Sequence, residues 1–128
     1  MSNSATLDQV TASVAELDQD LNQKVLTGKA LEAFDQYYAD DVVMQENTDA
    51  PFIGKALNRQ REIEFFDSIA EWHGGSVTET AVNGDTTFGV WTLDLTFKNG
   101  YRYTNTQVAV RKWKDGKVVS ERFFYQKS

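Results

Sequence analysis

Hydrophobic residues recur every three or four positions in the first half of the chain and every second position in the second half. Leu7, Val10, Val14, Leu17 and Leu21 form one apolar stripe with Asp, Glu and Gln between them, which predicts a long amphipathic helix reaching Val25 or Leu26. Thr27-Gly28 breaks that pattern, with Gly28 placed as a C-terminal cap. Leu31, Phe34 and Tyr38 predict a second helix, ended by Asp40-Asp41. Val42 to Glu46 reads as the first strand. The cluster from Asn47 to Pro51 reads as a turn, and Phe52-Ile53-Gly54 as a second short strand. A third helix is expected from Lys55 or Asn58 to Trp72, burying Ile63, Phe66, Ile69 and Ala70 and stopped by His73-Gly74-Gly75.

Alternation then takes over. Ser76 to Val82 is a candidate strand. Phe88 to Lys98 is a longer one, with Trp91, Leu93, Leu95 and Phe97 alternating against Thr92, Asp94 and Thr96. Asn99-Gly100 and Asp115-Gly116 are hairpin turns, so two further strands, Tyr101 to Lys114 and Lys117 to Tyr125, complete an antiparallel meander. Each turn admits a two-residue form or a glycine-bulged form, and the two differ by one residue of register. The bulged form at both turns places Trp91, Leu93 and Leu95 on one face with Tyr103, Asn105, Gln107 and Ala109. Val119, Glu121, Phe123 and Tyr125 join that face. Thr104, Thr106, Val108, Val110, Val118 and Phe124 take the other, whose half-apolar character suggests a partner sheet. Helices followed by a meander make the class α+β.

A length of 128 residues suits one domain, taken as 1–128, with 1–6 expected as a disordered tail. There is no cysteine, hence no disulfide, thiolate nucleophile or cysteine metal site, and the composition fits a reducing, cytoplasmic setting. A net charge of -6 opposes binding to nucleic acid or anionic lipid. The basic group Arg111, Lys112, Lys114 and Lys117 reads as a hairpin tip. The first residues lack a basic region and an apolar run, so no signal peptide is expected, and no apolar stretch is long enough for a membrane span. His73 is the single histidine, and with no cysteine and no spaced carboxylate cluster no metal centre is expected; with no glycine-rich phosphate loop or dinucleotide fingerprint, no cofactor is expected either.

Glu46, at the inner end of the first strand, is the first candidate for catalysis. Desolvation in an apolar pocket raises a carboxyl pKa towards the range useful for proton transfer. Its competing roles are a pair with a basic neighbour such as Arg122 or Arg59, or an orientation towards solvent. Glu121 is the second candidate, sharing a proton with Glu46; its competing role is a salt bridge to Arg111 across the hairpin. Asn105 and Gln107 are placed to orient a ligand or a water. Tyr38, Met44, Phe66, Trp91, Tyr103, Phe123 and Tyr125 are the remaining candidate pocket residues.

The corner Tyr38-Ala39-Asp40-Asp41-Val42-Val43, Gly54 before the third helix and Asp115-Gly116-Lys117-Val118-Val119 before the last strand resemble the nuclear transport factor 2-like superfamily, and within it the SnoaL-like group. The resemblance covers roughly residues 7–125. It implies a cone-shaped, curved antiparallel sheet wrapped around three N-terminal helices, with an internal pocket, and a homodimer built on the sheet face. Ketosteroid isomerase, polyketide cyclases, limonene-epoxide hydrolase and dehydratases share that architecture. Glu46 matches the general-base aspartate of the isomerase, but Leu21 or Asn22 stands where its oxyanion tyrosine lies. Glu121 and Phe123 match the histidine and aspartate of SnoaL-type cyclases, so the cyclase acid is replaced by phenylalanine.

The expected function is therefore a pocket protein for a small, largely apolar organic molecule. The implied activity, if any, is cofactor-independent acid/base chemistry of isomerase, cyclase or dehydratase (lyase) type. The alternative is a noncatalytic ligand-binding or accessory dimeric interaction module.

Overall fold

A computed structural model describes residues 12–127. Leu7, Val10 and the tail at 1–6 lie outside those residues. Helix α1 (Val14–Leu26) starts at a capping box, in which the Ser13 hydroxyl accepts from the Glu16 amide and the Glu16 carboxylate accepts from the Ser13 amide. It ends where Gly28 takes a φ of 84°, a left-handed turn open to glycine. Helix α2 (Ala30–Tyr37) follows, and strand β1 (Tyr38–Glu46) begins at the next residue. The helix thus stops before Tyr38, and Asp40-Asp41 lie exposed within the strand rather than at a helix end. After β2 (Phe52–Ile53) comes α3 (Lys55–Asp67).

The third helix is five residues shorter than its pattern suggests. Ser68 ends it, its hydroxyl donating to the Phe65 carbonyl at 2.6 Å. Ile69 to Gly75, read as helix and helix stop, instead belong to β3 (Ile69–Asn83). Ala70 is exposed there. Gly75 is needed because a Cβ at that position would lie 2.7 Å from the Trp72 ring.

Strands β4 (Thr86–Phe97), β5 (Arg102–Lys114) and β6 (Lys117–Phe124) complete a six-stranded sheet in the order β2-β1-β6-β5-β4-β3. The sheet is mixed, not wholly antiparallel: β1 runs parallel to β6, because the helical crossover between β2 and β3 separates β1 from the meander. The Asn99-Gly100 turn has the bulged form. Gly100 has a φ of 92°, and Leu95 faces Tyr103, Leu93 faces Asn105 and Trp91 faces Gln107.

The Asp115-Gly116 turn differs from expectation. It is a two-residue turn, with φ of 53° and 77°, closed by the Lys114–Lys117 pair. A register shift beside Trp113 then absorbs one residue, so Glu121 faces Arg111 and Phe123 faces Ala109. Odd-numbered residues of β6 beyond the shift therefore share the inner face, as the bulged turn would also have arranged. Val118, before the shift, is fully buried and belongs to the core rather than to the outer face.

The core gathers at one end of the cone. Leu17 and Leu21 of α1 pack with Ala33, Phe34 and Tyr37 of α2 and with Val42, Trp113 and Val118 of the sheet. Phe34 stacks on Tyr38 with ring centroids 4.4 Å apart. The other end, between α3 and the inner face of β4–β6, is left hollow.

Candidate functional site

That hollow is a cavity of about 550 Å³, a size usual for small-molecule sites. Its walls come from α3 (Arg61, Glu62, Glu64, Phe65), β1 (Met44, Gln45, Glu46) and the sheet (Leu93, Phe97, Tyr103, Gln107, Phe123), with Tyr125 just beyond β6. Six candidates from the sequence therefore meet around one space: Glu46, Met44, Tyr103, Gln107, Phe123 and Tyr125.

The other candidates are placed elsewhere. Phe65, not Phe66, faces the cavity, because α3 is rotated so that Asn58 points fully into the protein. Asn105 is not among the lining residues, and its amide is bonded to the hydroxyl of Tyr103, which is. Trp91 is buried beside Arg111, whose guanidinium lies 5.8 Å from the ring centre. Tyr38 and Glu121 are sealed in a buried network that does not line the cavity.

That network is built on Arg111. Its Nε donates to Glu121 at 2.7 Å, and its Nη1 donates to Asp18 at 2.9 Å and Asn22 at 2.6 Å. The Tyr38 hydroxyl donates to the same Glu121 oxygen at 2.6 Å, and Thr87 donates to Asp18 at 2.8 Å. The cross-hairpin pairing of Glu121 with Arg111 is thus the one observed. Burial, and then the adjacent Glu121 charge, push the Tyr38 phenol well above its ordinary range.

Glu46 is held at the wall. It accepts from Arg61 at 3.1 Å and from the Tyr125 hydroxyl, so its cationic partner is Arg61 rather than Arg122 or Arg59. Arg61 also donates to the Asn58 side-chain oxygen Oδ1 at 3.0 Å and lies over the Phe52 ring at 3.6 Å.

Glu62, on α3, was not apparent from the sequence. It is half-buried, lines the cavity, and its carboxyl accepts no hydrogen bond from any described residue. Burial first, and the charge of Glu121 second, raise its pKa to about 7. The missed signal is its spacing: Glu62 follows buried Asn58 by four residues and precedes the cavity-facing Phe65 by three. The pattern of Ile63 and Phe66 drew the inward face one residue too far round the helix.

The raised pKa sets a stability trend. Unfolded, Glu62 ionises near 4.5, whereas folded it keeps its proton to about 7. The folded state binds more protons within that window, so this group makes stability fall as pH rises through it, with no further change above it. Glu62→Gln should remove that slope. Urea midpoints measured across the window check this, and an unchanged slope in the variant would place its origin elsewhere.

Three N-terminal helices enclosed by a curved six-stranded sheet define the nuclear transport factor 2-like architecture. The chain belongs to the SnoaL-like domain family, which it matches over residues 9–125. It is similar to a Mesorhizobium loti protein described as a candidate SnoaL-like polyketide cyclase [carbohydrate phosphatase]. The identity is 32%, covering 89% of this chain and 100% of that one, with a TM-score of 0.78. A candidate isomerase from Bacillus subtilis shares the fold at 14% identity and TM-score 0.72, covering 88% and 86% of the two chains. An LEH-like epoxide hydrolase from M. tuberculosis does so at 12% identity and TM-score 0.73, covering 88% and 82%. No curated protein sequence matches significantly. Among the described residues, no group of three or more His, Cys, Asp or Glu could hold a metal ion, and no helix is long and apolar enough to cross a membrane.

Proposed function

We propose that this protein binds a small, largely apolar organic molecule in the α3–sheet cavity and exchanges a proton with it through Glu62. The chemistry is acid/base, of the isomerase, cyclase or dehydratase type. The observation that carries the reading is an unpartnered carboxyl lining an aromatic cavity with a pKa of about 7. A proton-transfer group works best when its pKa lies near the working pH. Glu46, tied to Arg61 and Tyr125, is suited to orienting the ligand from β1. Glu121 acts at one remove, its buried charge helping Glu62 to keep its proton. The similar proteins, described as a candidate polyketide cyclase, a candidate isomerase and an LEH-like epoxide hydrolase, support chemistry of this kind. The absence of cysteine suits a cytoplasmic setting.

The test is turnover on a panel of enolisable ketones and lactones by the parent, Glu46→Gln and Glu62→Gln. A substrate converted by the parent and spared by Glu62→Gln supports the assignment. Equal rates in parent and Glu62→Gln remove it.

The outer sheet face supports a homodimer. Val108 and Phe124 are cross-strand neighbours, 36% and 40% exposed. Apolar pairs on an open sheet face favour association with a second such face. Sedimentation equilibrium of the parent should give twice the 14.5 kDa chain mass, and Phe124→Glu should shift it to the monomer. A monomeric parent overturns the dimer.

A further inference from the structure

The charges around the cavity do not balance. Among the described residues, Glu46, Glu62 and Glu64 line it against Arg61 alone. Arg61 is already engaged by Glu46 at 3.1 Å and by Asn58 at 3.0 Å. Behind the wall, Arg111 is divided between Asp18 and Glu121, so the interior adds negative rather than positive charge. An acidic carboxylate or phosphate ligand would meet this field unfavourably. The remaining lining is rich in aromatic rings, whose faces carry negative potential and attract cations. Half-buried Glu62 is the acidic group of the wall without a hydrogen-bond donor among the described residues, whereas Glu46 is held by Arg61 and Tyr125, and exposed Glu64 accepts from Gln60 at 3.3 Å.

We infer that the ligand carries a basic nitrogen: a protonated amine on an apolar, ring-sized body, with its ammonium group against Glu62. The inference rests on the reading of this cavity as a ligand site centred on Glu62. An ammonium beside Glu62 stabilises the ionised carboxylate, opposing the burial and the Glu121 charge that raise its pKa. Near neutral pH, binding therefore expels the Glu62 proton. The apolar body fits walls such as Leu93, Phe97 and Phe123, which leave the nitrogen as the one charged determinant.

Three isosteric probes separate the outcomes: 1-naphthylmethylamine, 1-naphthylmethanol and 1-naphthoic acid, titrated calorimetrically into the full chain. At about pH 8, where Glu62 is ionised, the amine should bind the parent at least roughly tenfold tighter than the alcohol, and the acid weakest. At about pH 5.5 the preference for amine should shrink, because the counter-charge is protonated. Glu62→Gln should lose the preference for amine, with a cooperative denaturant transition showing that it is folded. Titration at neutral pH in two buffers of different ionisation enthalpy should show a proton released with the amine. A preference for alcohol or acid in the parent overturns the nitrogen assignment while leaving the pocket and its acid/base role standing. A preference for amine that survives in Glu62→Gln overturns the placement of the nitrogen. Binding of none of the probes overturns both the inference and the cavity reading beneath it.

Discussion

Replacing Arg111 with Met should lower the free energy of unfolding by about 3–5 kcal/mol, the usual cost of removing one partner from a buried ion pair. The size follows from what remains behind. Glu121 and Asp18 are 2% and 5% exposed, and among the described residues Arg111 is the only cation bonded to either. Met fills the volume of the arginine stem but offers no N–H, so both acids and Asn22 lose a donor in a water-poor interior. Denaturant unfolding of parent and variant at neutral pH measures the loss. The loss should shrink towards acid pH, where protonation relieves the stranded acids. Adding Glu121→Gln and Asp18→Asn to Arg111→Met should recover part of it. A loss below about 1 kcal/mol would mean that water or a shifted side chain replaces the guanidinium, and the network would then not be what ties α1 to the sheet.

Glu62→Gln should reduce turnover of any substrate found by about two to four orders of magnitude, the range supplied by a positioned acid or base. Glutamine keeps the length and polarity of the side chain but cannot exchange a proton at neutral pH. Substrate affinity should change less than kcat if the role is proton transfer, and more than kcat if Glu62 only binds. The parent profile should show a titration near 7 that the variant lacks. Glu46→Gln is the necessary companion, because that residue lines the same cavity while bonded to Arg61 and Tyr125. A larger kcat loss in Glu46→Gln than in Glu62→Gln would return the proton-transfer role to β1.

The α1 stripe was legible because Leu17 and Leu21 recur at a helical period and pack on one core. The Asn99-Gly100 turn was legible because Asn-Gly is compatible with few backbone shapes. The end of α3 was not. Ile63, Phe66, Ile69 and Ala70 continue a helical spacing, yet Ser68 caps the helix and Ile69 pairs with Phe97 in the sheet. Local periodicity cannot register a strand partner almost thirty residues downstream. The register of β6 was recovered only in parity, since a two-residue turn and a later shift together give the same alternation as a bulged turn.

By itself, the chain determined the kind of elements, their order and which alternate residues of β4–β6 turn inward, because these depend on neighbours a few positions apart. Tertiary structure alone decided what the inward acids do. Glu121 faces in and is consumed by Arg111 and Tyr38, whereas Glu62 faces in and is left unmatched among the described residues. The difference arises from desolvation and from charges brought together across long chain separations, and no local pattern of side chains encodes either.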